Sequence, residues 1–219
     1  MSTTDPSVST DDAPETDQDV PAAGGRVRWK RFAGMLTVTG ALAAGMVALT
    51  AQGVLASQFS ISGLPFTVTS DKLEGTGFEQ FAALDEMIEN SPNEGDTGGQ
   101  VVVVVSAVDR ATLSNLCQSV FLGGKYLKIT AGSPNNPVTA KTLIVDSDVV
   151  SGDTTFNKIN IGQDSSTLNA VPGVTGGEGV FGQQADSVEI LNLRQHNYAT
   201  TAATFKLPHL RMAFTDDDC

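Results

Sequence analysis

The sequence predicts a mainly β fold: a curved antiparallel sheet or a two-sheet sandwich built of hairpins, preceded by one N-terminal transmembrane or signal helix. Three observations carry this. From residue 57 onward, β-branched runs recur between turn residues. Before them lies one charge-free stretch, Phe32 to Ala56, 25 residues long, behind a basic cluster. Before that lies a segment too polar to fold. The 219 residues therefore divide into an acidic tail (1–25), a basic flank with an apolar segment (26–56) and an extracytoplasmic β domain (57–219).

The tail, MSTTDPSVSTDDAPETDQDVPAAGG, holds six acids, no base and almost no large apolar residue. It cannot bury enough surface to offset the entropy of ordering, so disorder is expected. Arg26, Arg28, Lys30 and Arg31 follow at once, with Trp29 among them. Positive residues stay cytoplasmic, so these four set the topology: tail inside, everything after residue 56 outside. As a helix, the charge-free stretch would be about 37 Å long, enough to cross a hydrocarbon core of about 30 Å with tilt. Two outcomes are open. The segment stays as an anchor, or it is a signal peptide cut after Ala56, where VLA precedes SQF. The membrane is a partner in the first case, and the domain is secreted in the second.

The β domain reads as strands in FSISG, PFTVTS, QVVVVVSAV, ATLSNLCQSVFL, KYLKITAG, AKTLIVDSDVV, TTFNKINIG, ADSVEILNL, YATTAATFKL and LRMAF. SPNNP, VSGD and NEGDTGG carry turn chemistry. GFEQFAALDEMIEN fits a helical face through Phe78, Phe81 and Leu84, and fits equally the first arm of a hairpin closed by SPNEGDTGG. The hairpin is the reading adopted here. A faint similarity links SDKLEGTGF, VDRATLSNL, AKTLIVDSD and ADSVEILNL, beginning at residues 70, 108, 140 and 185. The spacing is too uneven for a solenoid but suits stacked hairpins. Residues 162–184 have no periodicity. Their Gly-Gly pair suggests mobility, and Val171, Val174, Val180 and Phe181 are candidates for an apolar lid.

The chain has two cysteines, Cys117 and the terminal Cys219. Outside the cytoplasm such a pair is expected to bridge. Closing a loop of about 100 residues stabilises a fold by about 4–5 kcal/mol in the chain-entropy model. The alternative is a buried free Cys117 with Cys219 pairing between molecules. Zinc-type cysteine spacing is absent, so no metal role is expected for either.

The net charge of −12, with only 13 Lys and Arg, argues against nucleic acid as a partner. No nucleophile elbow, phosphate loop or dinucleotide fingerprint occurs, so no catalytic residue is assigned and no cofactor is expected. His196 and His209 read as ordinary strand or loop histidines. DSDVVSGD, with Asp146, Asp148 and Asp153, lacks the glycine and closing glutamate of a calcium loop. The terminal DDD reads as a solvated tail.

WKRF before the apolar segment, then FSISGLPFTVTSDKLEGTGFEQF, ATLSNLCQSV, FGQQADSVEILNLRQ and YATTAATFKLPHLRM, resemble a family of exported actinobacterial proteins of unknown function. LEGTGF and SNLCQS are the most specific of these motifs. The resemblance spans about residues 28–219, and Cys117 and Cys219 match cysteines of its pattern, which supports the bridge. It also implies a small multi-spanning membrane protein as a candidate partner. Some members carry an automatic label of cholesterol esterase, which gains nothing from the residues, because the nucleophile elbow is missing here. The long acidic tail departs from the family pattern.

The functional expectation is an envelope-associated binding domain for a lipid or a membrane-protein partner. Strands such as VVVVV and TLIV, with few aromatics beside them, either leave an apolar groove or simply pack a core. A structural surface protein is the alternative, and a lipid ester hydrolase a weaker one.

Overall fold

The computed structural model describes residues 59–219. The acidic tail, the basic cluster Arg26, Arg28, Lys30 and Arg31, and the expected membrane or signal helix lie outside the described residues. Among the described residues no helix is long and apolar enough to cross a membrane.

Eight strands form one antiparallel sheet. They are β1 (Phe66–Glu86), β2 (Gln100–Ser114), β3 (Leu116–Phe121), β4 (Tyr126–Ala131), β5 (Val138–Asn157), β6 (Asn160–Asp164), β7 (Phe181–Lys206) and β8 (Arg211–Thr215). The order is β6-β7-β5-β2-β1-β3-β4-β8, and β7 also pairs with β1. That extra pairing closes β1, β2, β5 and β7 into a ring, which removes the exposed edges a curved open sheet would keep. Only β6 and β8 end the sheet.

A ring of four strands would be too narrow to hold side chains if the strands ran along its axis. The register shows how this is avoided. From Phe78 the pairing runs to Val108, to Leu143 and on to Ala202 of β7, whereas Phe78 itself meets β7 at Ala185. Between Ala185 and Ala202 lies a stagger of 17 residues, so the strands tilt steeply and coil, and the ring widens.

Long strands must bend to do this, and glycine marks two of the bends. Gly77 has φ +65°, a left-handed value that an L side chain rarely adopts. Leu73 before it and Phe78 after it are odd and even in number, yet both point into the same core, so the strand changes phase across the glycine. The second is Gly152 in VSGD. There the sequence predicts a turn, but residues 150–153 run on within β5. Gly152 has φ +151°, and the register against β7 shifts between Ser151 and Asp153, so the glycine makes a bulge instead of a reversal. ADSVEILNL and YATTAATFKL likewise form one strand, the 26-residue β7.

The hairpin reading of GFEQFAALDEMIEN holds: residues 77–86 of it form the end of β1, and Glu86 pairs with Gln100 across the turn. FSISG does not become a strand. Gly63 is left-handed and Pro65 has no N–H to donate, so only a single bridge of Ile61 to Met87 remains. The four faintly similar segments fall one in each of β1, β2, β5 and β7, the strands of the ring.

The ring has two apolar clusters. One lines its interior, with Leu73, Phe78, Leu113, Leu143, Val188 and Leu193 among its members. The other lies on the outer face, where Phe81, Val103, Val105, Ala107 and Ile144 are covered by Leu168, Val171 and Val174. Buried hydrophobic residues run from Ile61 to Ala199, so the described residues contain a core.

Candidate functional site

The interior cluster does not fill the ring. A cavity of about 220 Å³ remains, lined by β1, β2, β3, β5 and β7. Its apolar wall includes Phe78, Val108, Leu143, Val188 and Ile190, and its polar lining consists of Gln80, Ser106, Gln118, Thr154, Gln195, Asn197 and Thr200. No charged side chain lines it. An engineered cavity of about 150 Å³ accommodates one benzene, so this one has room for something on the order of ten heavy atoms.

The polar groups are held by the sheet register. Gln80 faces both Ser106 of β2 and Gln183 of β7. Its Nε2 donates to Ser106 Oγ at 2.8 Å, and its Oε1 accepts from Gln183 Nε2 at 2.6 Å. Asn197 is 1% exposed. Its Oδ1 accepts from Ser147 Oγ at 2.7 Å, which fixes the amide plane, and its Nδ2 has no partner. A buried donor left without an acceptor costs about 1–3 kcal/mol, so it calls for an explanation.

On the outer face, a groove runs beside Phe59, Ile61, Phe81, Asp85, Asp146 and Val174. Burial, together with the Asp85 charge, pushes the Asp146 carboxyl up to about 7. Burial also raises Asp85. Deeper still, Glu79 is completely buried. Its Oε1 accepts from the backbone N–H of Val171 at 2.7 Å, while burial raises its pKa. Gln184 Oε1 accepts from the N–H groups of Asn169 and Ala170. A Cβ on Gly77 would overlap the Ala170 carbonyl oxygen. Side chains of β1 and β7 thus supply acceptors to a covering segment that has no ladder of its own.

That segment contains three of the four candidate lid residues. Val171 and Val174 are buried in the outer cluster, Val180 is half-buried, and Phe181 opens β7 with its ring exposed. None of the four lines the interior cavity.

Cys117 and Cys219 form a disulfide. Of the terminal acids, Asp216 and Asp217 are exposed as a solvated tail would be, and Asp218 is half-buried. Asp218 accepts from the hydroxyl of Ser119 and pairs with Arg194 at 3.2 Å, and Asp216 pairs with Lys125. Burial works against the charge of Asp218, but Ser119, the N–H of Cys219 and Arg194 together hold its pKa below the usual value.

His196 Nδ1 lies 2.7 Å from Asp148 Oδ1, and His209 Nε2 lies 3.5 Å from Asn136 Nδ2. Among the described residues, neither ring has a serine hydroxyl as a partner. Asp146, Asp148 and Asp153 go separate ways: to the groove, to His196 and to Asn192. Among the described residues no group of three or more acids, histidines or cysteines is placed to hold a metal ion.

Sequence reasoning missed the cavity's polar lining and Glu79. A signal was there. Gln195 and Asn197 continue the buried phase of Leu193, and Glu79 stands between Phe78 and Phe81. Polar residues at positions where the alternation calls for apolar ones mark either a satisfied core contact or a site.

No curated protein and no solved structure matches the chain. A family model described as a family of unknown function, DUF6230, matches residues 62–219, most of the chain and the whole of the sheet, so the protein belongs to that family.

Proposed function

We propose that this is an extracytoplasmic, envelope-associated domain that binds a small lipid-like ligand inside its β ring. The observation that supports the reading is the interior cavity: apolar over much of its wall, polar in part, and lined by strands rather than by loops. Packing alone favours a filled core, since unfilled volume forfeits contacts. In this reading the basic cluster Arg26 to Arg31 stays cytoplasmic, the charge-free segment anchors or exports the chain, and a small multi-spanning membrane protein delivers or receives the ligand.

The test is mass spectrometry of organic extracts from residues 57–219, exported and purified without detergent. One lipid-like molecule per chain, absent from a control exported protein, is the expected result. An empty protein that also takes up no apolar probe would sink the proposal.

A second reading is a structural surface protein acting through assembly. It is favoured by Met212 and Phe214, 57% and 67% exposed on the terminal strand β8. Concentration-dependent self-association without ligand, lost in Phe214→Lys, would support it. Hydrolysis of a lipid ester has only the exposed His196–Asp148 pair behind it. Acyl-ester turnover abolished by changing one serine would be needed to revive it.

A further inference from the structure

We infer that the cavity takes an uncharged, single-chain ligand whose one acceptor oxygen, a carbonyl or hydroxyl, is bound by the side-chain amide of Asn197. This rests on the reading of the cavity as a ligand site and specifies its chemistry.

Three observations carry it. First, Asn197 Nδ2 is a donor without a partner on a residue that is almost completely buried and that lines the cavity. The bond from Ser147 Oγ to Oδ1 uses the acceptor end of the amide, so the donor end is what remains for a ligand. A donor requires an acceptor.

Second, the lining has no Lys, Arg or His. A carboxylate or phosphate there would be buried without a counter-charge, which costs far more than one amide hydrogen bond returns. A carbonyl or hydroxyl loses much less on entering and recovers most of that loss at Asn197. The same reasoning excludes ammonium-headed ligands, because no acid lines the cavity.

Third, 220 Å³ is below the roughly 300–1,000 Å³ of pockets for drug-sized ligands. A fused-ring lipid does not fit in that volume, whereas one unbranched chain of medium length does. Phe78, Leu143 and Ile190 supply the apolar wall for it.

The experiment uses residues 57–219, which contain the core and the disulfide, and three probes: nonane, 2-nonanone and nonanoate. Binding is read by equilibrium dialysis at pH 7.5 with quantitation by gas chromatography. The protein compared is Asn197→Leu, nearly equal in size and lacking the donor. Asn197→Leu is expected to weaken 2-nonanone about tenfold and to leave nonane unchanged or slightly tighter. Nonanoate is expected to bind at least tenfold more weakly than the ketone.

Ketone affinity equal in both proteins overturns the role of Asn197 while leaving the cavity as a ligand site. Nonanoate binding as tightly as the ketone overturns the uncharged class. Failure of all three probes to bind overturns the site itself. Should Asn197→Leu not fold, the nitrogen-15 spectrum of the unmodified protein decides. The ketone, but not nonane, must shift one asparagine side-chain amide pair, and no such shift rejects the inference.

Discussion

Inside the ring, large side chains from four strands meet around a space they do not fill. On its outer face, smaller ones (Val103, Ala107) are buried under Leu168, Val171 and Val174, while Phe81, Val105 and Ile144 border the groove. The two clusters share the same strands and sit on opposite sides of them. Each region also buries one half-satisfied polar group. Glu79 accepts a backbone N–H at Oε1, and its Oε2 has no partner. Asn197 accepts from Ser147 at Oδ1, and its Nδ2 has no partner. What separates them is the setting, since Asn197 lines the interior cavity whereas Glu79 lines neither the cavity nor the outer groove.

The largest effect should fall on both regions alike. Replacing Cys117 and Cys219 with serine releases the tail from β3 and restores loop entropy to the unfolded chain, costing about 2–5 kcal/mol. Calorimetry should show the melting temperature fall by roughly 5–15 °C. A fall of about 1 °C or less would mean that Asp218 and its hydrogen bonds hold the terminus unaided.

Next comes the same substitution on each side of the sheet. Val103→Phe puts extra volume into the buried part of the outer cluster, where Val103 is 1% exposed, and should destabilise by about 1–3 kcal/mol. Val145→Phe adds volume beside the cavity and should cost less than about 1 kcal/mol while blocking the binding of 2-nonanone. Equal costs in urea unfolding would show that the interior is as full as the exterior.

A smaller effect is tied to protons on the outer face. Asp146 is pushed up to about 7, above its unfolded value near 4, so the folded state holds a proton that the unfolded state has released. The stability this gives is fully present below pH 4 and is lost as pH rises through 7. Glu79 and Asp85, both raised, act in the same direction. Asp146→Asn should therefore melt a few degrees above the parent at pH 8 and together with it at pH 4. An unchanged gap across that range would mean that Asp146 is hydrated.

The smallest expected effect is none. The cavity lining contains no titratable side chain, so affinity for 2-nonanone should be flat from pH 5.5 to 8. A slope over that range would link the two clusters through the strands between them.

Much of the fold was legible because alternation and turn chemistry act locally. QVVVVV and KYLKITA sit where period-two patterning places strands. The closure of β7 onto β1 was not legible, because it joins Phe66 to Asn197 and no local pattern records a partner so distant. VSGD was misread for a related reason. Gly152 has the same chemistry in a turn and in a bulge, and only Ile190 and Leu191 opposite it decide which forms. The disulfide was legible from the cysteine number together with the expectation of an extracytoplasmic domain. The interior cavity left only a faint local mark, Gln195 and Asn197 in the buried phase of Leu193, and Gln80 and Ser106 look like surface residues until the ring brings them together.

The ring is shut by its first and last long strands, and this sets a schedule. A chain delivered N-terminus first has β1 and β2 in hand early, yet one flank of β1 stays without a neighbour until β7, starting at Phe181, has arrived. During that interval the flank offers itself to any other extended segment, including that of a second nascent copy. The disulfide lengthens the wait, because no oxidant can join Cys117 to a Cys219 that lies 102 residues later in the chain. Such a molecule cannot assemble piecemeal. It needs either dilution or a custodian while the chain is being made, and its yield should depend on which of these is provided.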